Sequence, residues 1–211
     1  MIVVALASFI IAASAVPQVS QAALHTGARQ HSYGSVRADS SAAGEQLVSP
    51  DGRFSITLPA GYSRPQLQTN SVESDNGTIR VHMYSAISAN EGLCLIGYND
   101  FKGATIDSIL ELRILDGARE GALENMQATL ESERTLSLEG HPGRSIRFTA
   151  RKNEQVMYGR FDYYLVGTRL YQVGFIGSSA ASVESQPVAS YFGSFKLMTN
   201  SRPAPHKRGR R

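Results

Sequence analysis

The sequence predicts an α+β fold: a mainly antiparallel twisted sheet with one long helix and a shorter C-terminal helix packed on it. Three observations predict it. The stretch 136–177 alternates apolar and polar side chains in runs separated by short turn signals. The stretch Ile106 to Ala128 repeats apolar residues at spacings of three and four. Between a low-hydrophobicity N-terminal stretch and a basic end lie roughly 150 residues of mixed composition, enough to bury one core without disulfides.

The first 24 residues hold no Lys, Arg, Asp or Glu, and an apolar run extends from Ile2 to Val16. A bilayer span takes roughly 20 apolar residues, so this run matches the core of a secretory signal better than a spanning helix. Small-x-small cleavage sites follow at Ala13-Ser14-Ala15 and Ser20-Gln21-Ala22. Residues 1–22 are expected to be a signal peptide, with the mature chain starting at Ala23, or at Val16 as the second choice. The positive charge that normally precedes such a run is missing, which leaves an uncleaved anchor as the alternative. The expected location is periplasmic or secreted, and membrane-anchored if the signal is kept. Residues 23–48, rich in Ser, Ala, Gly and Gln, read as a flexible linker.

The chain has one cysteine, Cys94, so no intrachain disulfide can form. It sits in Leu93-Cys94-Leu95-Ile96 and reads as a small core side chain. The net charge of +3 is misleading, because Arg202, Lys207, Arg208, Arg210 and Arg211 lie at the very end, and removing those five turns +3 into −2. Pro203 and Pro205 keep that end from being helical, and residues 199–211 read as a disordered basic tail.

The expected domain covers 49–198. Ser49-Pro50-Asp51-Gly52 is a turn signal, and Arg53 to Leu58 alternates with Phe54, Ile56 and Leu58 inward. Strands are expected at Ile79–Ala86 and Leu93–Asp100, the first preceded by a turn at Asp75-Asn76-Gly77-Thr78. Asn76-Gly77-Thr78 also matches a glycosylation acceptor, but Asn-Gly is a strong hairpin signal and the turn reading is preferred. The helix places Ile106, Ile109, Leu110, Ile114, Ala118, Ala122 and Met126 on one face, with Ser108 and Glu111 as a capping box. Gly117 and Gly121 allow close approach of a neighbouring backbone. A short helix near Pro187–Phe192 and a strand at Phe195–Met198 close the domain.

The meander carries the most detail. Its strands are Leu136–Glu139, Arg144–Lys152, Gln155–Val166 and Arg169–Gly177, with turns at Gly140-His141-Pro142-Gly143, Asn153-Glu154 and Gly167-Thr168. Two-residue loops set the register. Ile146 then faces Phe161, Ala150 faces Met157, Leu165 faces Leu170, and Phe148 covers Gly159, with Ile176 on the same apolar side. The other side carries Ser145, Arg147, Thr149, Arg151, Tyr158, Arg160, Asp162, Tyr164, Arg169 and Tyr171. Arg147 falls opposite Arg160, a like-charge pair that needs a compensating anion, with Asp162 placed diagonally to help. Arg and Tyr are favoured at interfaces, so Arg147, Arg151, Tyr158, Arg160, Asp162, Tyr164 and Tyr171 form the candidate binding surface, with an ordinary solvated sheet face as the alternative.

Motifs for catalysis are missing. Three of the five histidines, His25, His31 and His206, lie in the linker or tail, and His82 and His141 have no helical i, i+4 partner. No nucleophile elbow, phosphate-cradling loop or calcium-loop spacing occurs. No catalytic residue, metal ligand or cofactor is therefore expected. A hydrolase-type site assembled from distant residues, for instance His82, Asp100 and a serine, is the competing reading. A membrane-tethered module with a basic tail is the third.

The motifs Pro59-Ala60-Gly61-Tyr62, Tyr98-Asn99-Asp100-Phe101, Gly140-His141-Pro142-Gly143-Arg144, Tyr163-Tyr164, Arg169-Leu170-Tyr171-Gln172 and Phe192-Gly193-Ser194-Phe195 occur in this order. In this the chain resembles exported bacterial proteins of the PsbP-like and DcrB-like α/β/α sandwich superfamily, over Ser49 to Met198. The resemblance implies a domain that acts by binding. It supplies no catalytic residues. This chain lacks the lipobox of the lipoprotein members and the metal-ligand histidines of the photosystem branch. The partner expected is an envelope protein or an anionic envelope component, with no specific nucleic acid and membrane contact only through a retained signal or the basic tail.

Overall fold

The computed structural model describes residues 44–74, 77–88, 90–101, 103–152 and 154–198. The expectations for the signal, most of the linker, the glycosylation acceptor at Asn76 and the basic tail lie outside these residues. Among the described residues the strands are β1 (Gln46–Ser49), β2 (Phe54–Thr57), β3 (Gln66–Ser74), β4 (Gly77–Ser88), β5 (Gly92–Asp100), β6 (Ala128–Leu138), β7 (His141–Lys152), β8 (Gln155–Val166), β9 (Arg169–Gly177) and β10 (Lys196–Leu197). The helices are α1 (Ser108–Met126), α2 (Ala180–Val183) and α3 (Gln186–Gly193).

The strands form two sheets, one ordered β3-β4-β5-β9-β8-β7-β6 and one ordered β1-β2-β10, and all pairs are antiparallel. The expected fold class is corrected on this point. Strand dominates, in two sheets, and the helical part is three separate segments, in place of one sheet carrying one long helix and one shorter one. The physical reason is that β5 and β9 are largely apolar and bury both of their faces. Residues 94–99 are buried without a break, and so are 170–175. A strand buried on both sides needs a layer on each side.

One face of the large sheet meets α1. Ile114, Leu115, Ala118 and Ala122 pack with Ile146, Phe148, Phe161 and Leu165. The helix is capped by Asp107, whose carboxylate accepts from the N–H of Ile109 at 3.1 Å and of Leu110 at 2.8 Å, so the cap lies one residue before the expected Ser108. It ends at Gln127, which takes a left-handed conformation (φ 49°) and passes the chain straight into β6. Ile109, expected inward, is 62% exposed. The buried stripe runs through Ile114, Ala118 and Ala122, and at 3.6 residues per turn Ile109 falls off its edge.

The other face meets the small sheet and the two short helices. Phe54 and Ile56 from β2 and Leu58 just after it, with Val188, Tyr191 and Phe195, cover Ile96, Tyr98, Tyr171 and Phe175. Tyr191 reaches through this layer and donates to the carbonyl of Leu95 at 2.9 Å. This cover corrects the expectation that the face opposite α1 is wet.

The register expected from the two-residue loops is the one observed: Ile146 opposite Phe161, Ala150 opposite Met157, Phe148 opposite Gly159, Arg147 opposite Arg160, and Leu165 opposite Leu170. The turn before β7 is tighter than expected. Glu139 and Gly140, both with positive φ, make a two-residue loop, and β7 starts at His141. Three strands escaped the sequence reading. Gln46–Val48, placed in the linker, pair in β1 with β2, while β3 and most of β6 are polar edge strands with no apolar face to betray them.

Candidate functional site

β7, β8 and β9 place the seven candidate residues on the face away from α1, and the second layer then divides them. Asp162 is 2% exposed. It accepts from Ser145 Oγ at 2.6 Å, from Arg160 Nε at 3.0 Å and from Arg160 Nη2 at 2.6 Å. A two-pronged contact of this kind is the strongest geometry an Arg–carboxylate pair has. The Arg160 guanidinium also lies 4.0 Å from the ring centre of Phe192 in α3. Arg160 and Asp162 therefore spend their polar groups on each other, and they clamp α3 to the sheet.

Tyr164 is buried and stacks on Phe195, with ring centres 5.8 Å apart. Burial, and then the charge of Asp162, push its hydroxyl up to about 12. Tyr171 is buried too, donates to the carbonyl of Gly52 at 2.8 Å, and has its hydroxyl raised mainly by burial. Tyr164 and Tyr171 thus tie the second layer to the large sheet, and Asp162 is buried beneath it on Ser145 and Arg160.

Arg147, Arg151 and Tyr158 remain accessible. Arg147 is half-exposed and pairs with Glu184, just past α2, with Nη2 donating to Oε2 at 3.0 Å. Two anions relieve the Arg147–Arg160 juxtaposition: Asp162, as expected, holds Arg160, and Glu184, which the register could not place, holds Arg147. Arg151 is exposed and Tyr158 is half-buried. The register adds neighbours that the sequence reading missed. Ser132 lies opposite Arg147, and Arg134 lies opposite Ser145, both exposed on β6. Thr149, between Arg147 and Arg151, donates to Glu131 at 3.0 Å. Only the β6–β7 pairing reveals this strip, because the sequence reading ended the helix at Ala128 and began a strand at Leu136.

The groups proposed for a distant hydrolase site are engaged elsewhere. His82 Nδ1 lies 3.0 Å from Thr69 Oγ1, and its ring stacks on Tyr98 at 4.7 Å. Asp100 is held by Arg169 through Nε at 2.6 Å and Nη2 at 2.7 Å. An open cleft of about 440 Å³ lies between β2, β10 and α3, lined by Gln46, Ser55, Thr57, Ser190, Ser194 and Lys196. It contains neither His82 nor Asp100, and its Ser194 hydroxyl already accepts from the N–H of Thr57 at 2.9 Å. Among the described residues no group of three or more His, Cys, Asp or Glu is gathered for a metal ion, and no helix is long and apolar enough to cross a membrane.

No family model matches the chain, and no curated protein does. Among solved structures it is similar to cyanobacterial PsbP (CyanoP) from Synechocystis sp. PCC 6803, at 10% identity and a TM-score of 0.48, over 78% of this chain and 98% of that one. It is also similar to PA94, a protein of unknown function from Pseudomonas aeruginosa, at 7% identity and a TM-score of 0.32, over 67% of this chain and 87% of that one. At 10% and 7% identity neither likeness says what this chain does.

Proposed function

We propose that this chain is an exported, non-catalytic binding domain of the bacterial envelope that meets its partner through the strip Arg147, Thr149, Arg151 and Tyr158, extended by Ser132 and Arg134. One observation carries the reading. The second layer covers the face away from α1 as far as Asp162 and Tyr164, and leaves β6 and the outer part of β7 open. What stays open there is rich in Arg with an accessible Tyr, side chains that dominate binding energy at interfaces. The uncharged apolar run Ile2–Val16 supports export. The ties that occupy His82 and Asp100 support a role without catalysis. The partner is an envelope protein or an anionic envelope component.

The test is site-specific photo-crosslinking in cells. A crosslinking residue at Tyr158 is expected to trap a partner, and one at Leu112, exposed on α1, to trap none. Arg151→Glu is expected to weaken the adduct. No adduct at position 158, or equal adducts at both positions, would sink the proposal. N-terminal sequencing of the mature chain is expected to begin at Ala23, and an intact Met1 would mean a retained anchor.

A further inference from the structure

The two edges of the large sheet differ in how they meet water. β6, at one end, carries Glu131, Glu133 and Arg134, and its pairing with β7 shifts between Leu130 and Ser132. Charges and bulges of this kind keep an edge from pairing with another chain. β3, at the other end, has no bulge and a single charge, Glu73. Its register with β4 is unbroken from Gln66 opposite Ser85 to Ser74 opposite Gly77. Its sequence, Gln-Leu-Gln-Thr-Asn-Ser-Val-Glu-Ser, contains no Lys, Arg or Pro, and residues 66–71 are exposed, Leu67 by 51%. Among the described residues β3 pairs with β4 alone, so one row of its backbone N–H and C=O groups is open.

We propose that β3 pairs antiparallel with β3 of a second copy, joining two large sheets edge to edge about a two-fold axis. Charge points to a second copy of this strand. Its single charged residue is Glu73, near one end, so an antiparallel two-fold through the middle of the strand does not set one Glu73 opposite the other. Centred on Asn70, it sets Glu73 opposite Leu67, Gln68 opposite Val72, and Thr69 opposite Ser71 of the other copy. Every pair is uncharged or singly charged, and the face alternation of the sheet is kept. The main-chain bonds supply the attraction, as in other strand additions. This pairing does not involve the Arg151–Tyr158 strip.

Sedimentation of the purified chain across micromolar concentrations tests it, with hydrogen exchange as the local readout. Wild type is expected to self-associate reversibly to dimers, and the β3 amides are expected to exchange more slowly as concentration rises. Gln68→Lys with Asn70→Lys, which places like charges across the axis, is expected to weaken association by about tenfold or more at unchanged circular dichroism. Ser137→Lys on β6 is expected to leave association unchanged. A wild-type chain that stays monomeric overturns the proposal. So does a dimer indifferent to the Lys pair, or β3 protection that appears only when a different protein chain is added.

Discussion

The ring of Phe148 lies over the bare backbone of Gly159: a Cβ placed on Gly159 would come within 2.2 Å of Phe148 Cζ. Phe148 also packs edge-on against Phe161, with ring centres 4.9 Å apart, and is 1% exposed, so it has nowhere to retreat. Gly159→Ala is therefore expected to destabilise by about 2 kcal/mol through overpacking. Urea unfolding should show a lower midpoint at unchanged slope. Adding Phe148→Leu should recover part of the loss, so that the double variant is milder than the sum of the singles.

Asp162 balances the charge of Arg160 beneath the second layer. Asp162→Ala strands the largely enclosed Arg160 and leaves Ser145 Oγ without its acceptor. Breaking a buried pair by removing one partner costs about 3–5 kcal/mol. The lower part of that range is expected here, because Arg160 is not fully buried and keeps its contact with Phe192. Thermal unfolding checks the loss, and a double-mutant cycle with Arg160→Met should show strong coupling between the two positions.

Tyr171 and Arg169 latch the β1–β2 turn to the large sheet. Tyr171 donates to Gly52, and Arg169 Nη1 donates to the carbonyl of Asp51 at 2.8 Å. Tyr171→Phe removes one hydrogen bond and is expected to cost about 1 kcal/mol. The effect should be local, with faster hydrogen exchange in β1 and β2 and unchanged exchange in β7 and β8.

Buried tyrosines predict alkaline sensitivity. Tyr164 ionises at about 12 in the fold against 10.0 normally, and burial also raises Tyr62, Tyr163 and Tyr191. Each hydroxyl is raised, so the unfolded chain releases its protons first. Their contribution is intact below about pH 10 and is lost as pH climbs toward 12 and beyond. Stability measured from pH 8 upward should be flat and then fall. Tyrosinate absorbance should rise late and together with unfolding, and Tyr164→Phe should make the fall shallower.

Burial likewise raises the Cys94 thiol. It is fully enclosed, so a thiol reagent at mildly alkaline pH is expected to leave it unmodified in the folded chain and to react promptly in denaturant. Labelling without denaturant would show that the core between the large sheet and the second layer opens.

The register of β7, β8 and β9 was legible because two-residue loops leave no slack. Once Gly167 takes its positive φ, every partner from Leu165–Leu170 to Gly159–Ile176 follows. α1 was legible from its period, with its cap displaced by one residue. β3 and β6 were not, because an edge strand exposed on both faces has no periodic signature. The candidate surface suffered most. Arg147, Arg151 and Tyr158 are accessible, while Asp162, Tyr164 and Tyr171 are covered by residues that lie far from them in the chain.

Alternation along one strand, by itself, determined which side chains share a face and which partner each one meets across the ladder, since both are local consequences of a two-residue repeat. Whether a face meets water was decided only in three dimensions. Phe54 and Ile56 arrive from more than a hundred residues before Tyr164 and Tyr171, and Phe195 from beyond them, and together they bury what reads locally as a polar surface. Burial is set by what packs from elsewhere, and no window of sequence contains that.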